Sequence, residues 1–316
     1  MTINLQPSET VYLSFVIPCY NEEKTIPLLF NELIKIIPLI DRTAELIFVD
    51  DGSTDATLKE LQQLSSQDTR VHYISFSRNF GKEAAILAGL QAARGEYTAT
   101  LDADGQDPLY LIPKMLEAVV SGEFDCAGCR RMNRRGEPPV RSFFSRLFYK
   151  FMNKISNIEL IEGSRDFRLM NRKYLEAFLA LPERTRFFKG ISPWIGFKIK
   201  WFEYENIMRS SGKTKWSFWK LFLYSLDGIT AFSSKPLAAA SVFGIVLFLI
   251  SLAFIVLIII RKLIYGDPVD GWASTVCIIL FCSGIQLFSI GILGQYMAKV
   301  FTEVKQRPHF IIKEMK

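Results

Sequence analysis

The sequence predicts a mostly parallel α/β sheet domain followed by a helical hairpin in a membrane, and three observations lead there. Short β-rich runs alternate with helical periodicity, aspartate-rich polar clusters follow several of those runs, and charged residues nearly vanish from parts of the last third.

The β-rich runs lie at 12–18, 44–50, 71–75, 97–101 and 124–128. Alternation of this kind places helices on both faces of a parallel sheet, and ligands then bind outside the carboxyl ends of the strands. Pro18-Cys19-Tyr20-Asn21-Glu22 follows the first run, Asp50-Asp51-Gly52-Ser53 the second, and Asp102-Ala103-Asp104-Gly105-Gln106 the fourth. Three polar clusters are therefore expected on one edge.

The hairpin comes from 237–260, which is 24 residues without a charge, and from 272–298, which is 27. At 1.5 Å per residue the first spans about 36 Å, more than the roughly 30 Å hydrocarbon core. The connecting loop carries two basic residues, whereas Lys213, Lys215, Lys220 and Lys235 precede the first span and Lys299, Lys305, Arg307, Lys313 and Lys316 follow the second. The positive-inside rule puts the catalytic domain and both termini in the cytoplasm, giving a multi-pass protein of the plasma (inner) membrane. Residues 1–10 show no signal-peptide pattern. The expected organisation is a catalytic domain over 1–215, a juxtamembrane amphipathic helix over 216–235, two transmembrane helices over 236–300 and a cytoplasmic tail over 301–316.

Residues 130–150 hold seven basic residues and the single acid Glu137. Phe144, Leu147, Phe148, Phe151 and Ile155 then recur at helical spacing, with Arg146, Lys150 and Lys154 as a separate stripe. This is either an interfacial helix at about 138–157 or a helix packed on the domain with solvated lysines. The net charge of +6 suits nucleic acid or an anionic membrane. Because the basic residues lie beside apolar helices, membrane is the reading and no nucleic acid is expected.

Five scattered cysteines argue against a disulfide framework. Cys126 and Cys129 form a lone C-x-x-C without a second ligand pair, as expected of two cysteines at the end of a buried strand. With His72 and His309 the only histidines, imidazole metal sites and Ser-His-Asp triads are nearly excluded.

In extended chain the side chains at i and i+2 share a face, so Asp102 and Asp104 can point into one cleft as two hard oxygen ligands. Carboxylates repel a diphosphate, so such a pair needs Mg2+ or Mn2+ to handle phosphates, with Gln106 or water adding ligands. Asp50 and Asp51 stand where an acid can meet a ribose hydroxyl or base edge; alternatively they form a turn in which Ser53 or Thr54 caps the next helix. Lys82 opens the helix after the third run, placed either to meet an anion or to face solvent.

Val16-Ile17-Pro18-Cys19-Tyr20-Asn21-Glu22, Val49-Asp50-Asp51-Gly52-Ser53, Ser77-Arg78-Asn79-Phe80-Gly81-Lys82-Glu83, Asp102-Ala103-Asp104-Gly105-Gln106-Asp107-Pro108 and Asp166-Phe167-Arg168-Leu169-Met170, taken in order, resemble glycosyltransferase family 2. The nearest branch is the polyprenyl-phosphate glycosyltransferases, of the bactoprenol glucosyltransferase type and more distantly the dolichol-phosphate mannose synthases. The resemblance implies a GT-A fold, Rossmann-like, and inversion at the anomeric carbon. It implies a nucleotide-diphosphate sugar donor, UDP-sugar favoured, bound by Pro18, Tyr20, Glu22, Val49, Asp50, Asp51, Lys82 and Asp102, with Asp102, Asp104 and Gln106 on the metal. Arg130, Arg168, Arg209 and Lys215 would face the acceptor phosphate of a polyprenyl (undecaprenyl) lipid, and Asp166 takes the place of a catalytic carboxylate alongside Asp104. The product would serve cell-envelope glycan modification, and the resemblance leaves room for a homo-oligomer. Arg165 stands where the family usually has a small residue, and Gly105 where it usually has an apolar one.

A phosphomonoester has a second pKa near 6, so a lipid phosphate is largely a dianion at neutral pH and attacks without a strong base. Asp166 is then free to orient Arg168 or the sugar. A processive polysaccharide synthase shares the early motifs, but no Q-x-x-R-W follows Asp166 and two spans are too few to line a polymer channel. A catalytically silent membrane scaffold would not be expected to keep Asp102, Asp104 and Asp166.

Overall fold

The computed structural model describes residues 11–132, 150, 152–154, 156, 159–184, 186–205, 230, 233–265 and 271–316. Most of the expected interfacial helix at 138–157 and of the juxtamembrane helix at 216–235 lies outside the described residues, as do Arg209 and Lys215.

The strands are β1 (Leu13–Cys19), β2 (Ala44–Asp50), β3 (Val71–Phe76), β4 (Tyr97–Thr100), β5 (Cys126–Arg131), β6 (Ser164–Asn171), β7 (Ile199–Tyr204) and β8 (Ile312–Met315). The helices are α1 (Ile26–Ile40), α2 (Thr57–Gln67), α3 (Lys82–Ala92), α4 (Ile112–Val120), α5 (Arg172–Leu179), α6 (Phe188–Trp194), α7 (Lys235–Tyr265) and α8 (Trp272–Lys305). One sheet runs in the order β7-β5-β6-β4-β1-β2-β3-β8. β4, β1, β2 and β3 are mutually parallel, and β5 and β7 are parallel to each other. β6 runs against both β4 and β5, and β8 against β3.

The pleat sorts the central strands between two cores. Phe15, Ile17, Leu46 and Phe48 pack on the side of α1, α2 and α4, while Val16, Ile47 and Val49 pack on the side of α3, α5 and α6. α1 buries Ile26, Leu29, Leu33 and Ile37, a single stripe along one face. α3 carries small residues and lies close to β1. A Cβ at Gly89 would fall 2.3 Å from Val16 Cγ1.

α6 is fastened to α3 by the Glu83 carboxylate, which accepts the Phe188 amide at 3.1 Å. Burial, followed by the nearby Asp166 charge, pushes the Glu83 pKa up to about 7.

β8 was not expected. The segment read as a cytoplasmic tail returns to the sheet after α8 and covers the edge of β3. α7 and α8 are two helices long and apolar enough to cross a membrane, with mean hydropathy of 2.6 over Lys235–Phe254 and 1.2 over Phe281–Lys305. Tyr296 Oη donates to the Ser233 carbonyl at 2.6 Å, pairing the start of one helix with the end of the other. α8 runs on to Lys305, seven residues past the charge-free stretch that marked it in the sequence.

Gly89→Val is expected to cost about 1–3 kcal/mol by wedging α3 off β1, read as a lower melting temperature of the detergent-purified protein. For Glu83, a folded pKa above the ordinary 4.5 means that the native state keeps a proton the unfolded chain has released. Its presence therefore weakens the fold as pH rises from about 4.5 to 7, and fully above 7. Glu83→Gln, which still accepts from Phe188, should raise the melting temperature at pH 8 by roughly 3–6 °C and change little at pH 4.5. An equal shift at both values would contradict the assignment.

Candidate active site

The carboxyl ends of the four central parallel strands meet on one edge, and β6, running the other way, begins there. Pairing of Thr100 with Arg168 sets Asp166 beside the end of β4, where Thr100 Oγ1 donates to the Asp166 carbonyl at 2.5 Å. Antiparallel register thus joins residues more than sixty positions apart.

Lys82, at the first position of α3, is the meeting point. Its ammonium lies 2.7 Å from Asp102 Oδ1 and 2.5 Å from Asp166 Oδ2. Burial alone would raise the Asp166 pKa, but Lys82, Lys189 and Arg168 together bring it well below the usual carboxylate range. Burial opposes charge on Lys82 as well; Asp102 and Asp166 overcome it and hold the ammonium protonated.

The loop after β4 is built around its own carboxylates. The Asp102 amide donates to Asp107 Oδ2 at 2.7 Å, and the Gln106 amide to Asp104 Oδ1 at 3.1 Å. Gly105 has φ of 69°, a left-handed turn that accounts for glycine where the family favours an apolar side chain. Asp107 is pushed up to about 7, chiefly by burial and then by Asp102, with Arg165 opposing from 3.7 Å. Gln106 Oε1 accepts from both Arg131 and Arg165 at 3.3 Å. Among the described residues no three His, Cys, Asp or Glu side chains converge as a ready metal cage. Asp102 and Asp104, both partly exposed, could offer a divalent cation two hard oxygen donors, and the rest of its shell would come from ligand oxygens.

The other residues that the sequence assigns to the donor lie at the neighbouring strand ends. Tyr20 is 37% exposed at the rim, and Pro18 pairs in register with Val49, whose side chain is in the core. Glu22 accepts from Thr25 Oγ1 at 2.7 Å. Asp50 is buried, accepting the Ser53 amide at 2.9 Å and Ser75 Oγ at 2.7 Å. Asp51 accepts the amides of Phe80 and Gly81 at 2.6 and 2.9 Å, and burial lifts its pKa to about 6 against those bonds. These two aspartates hold their own turn together and pin the loop that leads into Lys82.

On the other flank, Arg130 is partly exposed and pairs with Glu203 at 2.5 Å. Arg168, expected to face the acceptor phosphate, is 1% exposed, with its guanidinium 4.9 Å from the Phe188 ring centroid and 5.4 Å from that of Trp201. β6 is an interior strand covered by these rings, so Arg168 has no surface to offer a phosphate. It sits beside Asp166 as a buried counter-charge.

Asp107, Arg165, Lys189 and Glu83 shape the site and were missed from the sequence. Asp107 and Glu83 lay within quoted motifs and Arg165 stood out as unusual, while Lys189 had no signal because α6 comes to Asp166 only through tertiary packing.

Comparison with known proteins gives the family of the chain. The putative glycosyltransferase CsbB of Bacillus subtilis is 42% identical, covering 96% of this chain and 91% of its own length. The SfII prophage-derived bactoprenol glucosyl transferase of Shigella flexneri is 39% identical, covering 96% and 97%. The prophage bactoprenol glucosyl transferase homolog of Escherichia coli is 38% identical, covering 96% and 99%. The model of glycosyl transferase family 2 matches residues 14–179, more than half of the chain. With its aspartates gathered at the strand ends and its likeness running through both apolar helices, this chain belongs to glycosyltransferase family 2.

Proposed function

We propose that this enzyme moves a hexose from a UDP-sugar to a polyprenyl phosphate at the cytoplasmic face of the plasma membrane, with inversion at the anomeric carbon. The observation that carries the reading is the meeting of the β4 and β6 carboxylates on Lys82, in a domain whose chain continues into two membrane-length helices. The relatives named for bactoprenol support the lipid acceptor, and their coverage includes the helical hairpin.

In this reaction an oxygen of the lipid phosphate bonds to the anomeric carbon as the bond from that carbon to the nucleoside diphosphate breaks. Tyr20, Glu22 and the backbone around Pro18 and Val49 bound the nucleoside site, with the Asp50–Asp51 turn as its floor. Mg2+ or Mn2+ on Asp102 and Asp104 would neutralise charge growing on the departing diphosphate. Lys82, whose ammonium lies beside Asp102, adds a second positive charge there in this reading. Asp166, kept ionised by Lys82, Lys189 and Arg168, is a poor proton acceptor at neutral pH. Since the attacking phosphate is already a dianion, Asp166 orients Lys82 and the sugar. In this reading Arg130, partly exposed beside Glu203, serves the acceptor phosphate together with Arg209 and Lys215, all three assigned from the sequence. The Mg2+ or Mn2+ preference, the cytoplasmic orientation and the multi-pass arrangement belong to this same proposal.

Membranes containing the enzyme, incubated with a panel of labelled nucleotide sugars and then extracted for lipid, should yield label in an organic-soluble product for one UDP-hexose above all others. Label that stays water-soluble throughout would end the lipid-acceptor reading. Asp104→Ala should lower transfer by at least about 100-fold while membrane insertion is retained, and near wild-type turnover would remove Asp104 from the metal site.

A further inference from the structure

We infer that Phe310 and Ile311, on the stretch of chain between α8 and β8, are positioning residues for the donor-binding loop 77–81; the inference rests on the proposed donor role of Lys82.

The loop 77–81 connects β3 to Lys82, and two of its amides are held from below by Asp51. Its other support comes from more than two hundred residues away. The Ser77 amide donates to the Ile311 carbonyl at 3.0 Å, extending the β3–β8 ladder past the end of the strand and onto the loop. Phe310 stacks on Phe76 with ring centroids 4.9 Å apart and planes 9° from parallel. Phe76 in turn meets Phe80 edge-on at 5.8 Å, and the Arg78 guanidinium covers the Phe80 ring at 4.1 Å. The ladder shifts register between Ser75 and Phe76, where β3 gives way to the loop.

Protection of a sheet edge would be complete with the pairing of Ile74 to Met315 and Ser75 to Glu314, together with the Tyr73–Lys316 backbone pair. Beyond that edge the Ile311 carbonyl meets the loop directly at Ser77, and Phe310 reaches it through Phe76, the last residue of β3, whose ring meets Phe80. Aromatic pairs of this geometry favour one arrangement over others beyond simple area burial. Phe310 is partly buried and packs on the core side of Phe76, so exchange in β1 serves as the control for a general loosening of the sheet.

The test uses the full chain in detergent or nanodiscs and compares the wild type with Phe310→Ala, Phe310→Tyr and Lys82→Ala. Phe310→Ala should raise the KM for the nucleotide sugar and speed amide exchange at Phe80 and Gly81, each roughly threefold to tenfold, with kcat nearly unchanged. Exchange in β1 should not move, and Phe310→Tyr, which keeps the ring stack, should restore both quantities. Phe310→Ala with wild-type KM and wild-type exchange at the loop overturns the inference, as does a general rise in exchange that includes β1. If Lys82→Ala raises KM and Phe310→Ala does not, the inference alone fails. If neither raises KM, the donor reading of the loop has failed and this inference with it.

Discussion

An ammonium group shared by two carboxylates from different strands is the contact on which the rest of the site depends. Burial opposes charge on Lys82 and on Asp166, and the neighbouring opposite charges outweigh it in both cases. Asp102 and Asp166 favour the protonated ammonium of Lys82 against its desolvation, and Lys82, Lys189 and Arg168 favour the ionised carboxylate of Asp166. The protonation states are therefore properties of the cluster. Chemistry that needs an anionic Asp166 and a cationic Lys82 is secured by geometry and persists across the neutral range.

That geometry follows from a change of strand direction. Four parallel strands deliver their carboxyl ends to one edge, which suffices to gather the Pro18, Asp50, Lys82 and Asp102 segments. A fifth parallel neighbour at β4 would have ended there too, adding another loop but no fixed register against Asp102. β6 instead starts at this edge, and its antiparallel ladder with β4 fixes Asp166 to within one residue, since a slip of one position would turn its side chain to the opposite face. α6, tied to α3 by Glu83, then closes over the same place with Lys189 and Phe188.

Much of this was legible in the sequence, and the boundary is instructive. Five runs of alternating or continuous apolar character gave β1 to β4 within a residue and β5 within three, and two long charge-free stretches gave α7 and α8, because local pattern alone decides such elements. β6 and β7 escaped because their exposed and buried positions are set by covering groups elsewhere. Arg168 is the clearest case: an arginine in a polar motif reads as a phosphate ligand, yet two aromatic rings from α6 and β7 bury it. β8 escaped because four residues with alternating charge become a strand only when an edge is waiting for them. The Asp50–Asp51 pair was read as either a ligand contact or a turn. Its described hydrogen bonds are all within the protein, so the turn is visible and any nucleoside contact must use what those bonds leave free.

The physical problem for such an enzyme is that its two substrates live in different solvents. A nucleotide sugar must come from water, whereas a polyprenyl phosphate keeps its chain in hydrocarbon and lifts only its headgroup to the interface. A catalytic domain joined to the bilayer by one flexible tether would have to find that headgroup anew in each cycle. Here the chain enters the hairpin near Lys235, whose ammonium donates to the Lys154 carbonyl at 3.0 Å, and leaves it at Glu303, whose carboxylate accepts the Arg184 amide at 2.8 Å. It then continues directly into β8. Two membrane-length helices and a returning strand would restrict the domain's orientation far more than one tether, and most of the entropy of bringing donor and acceptor together would then be lost once, on folding, instead of at every turnover.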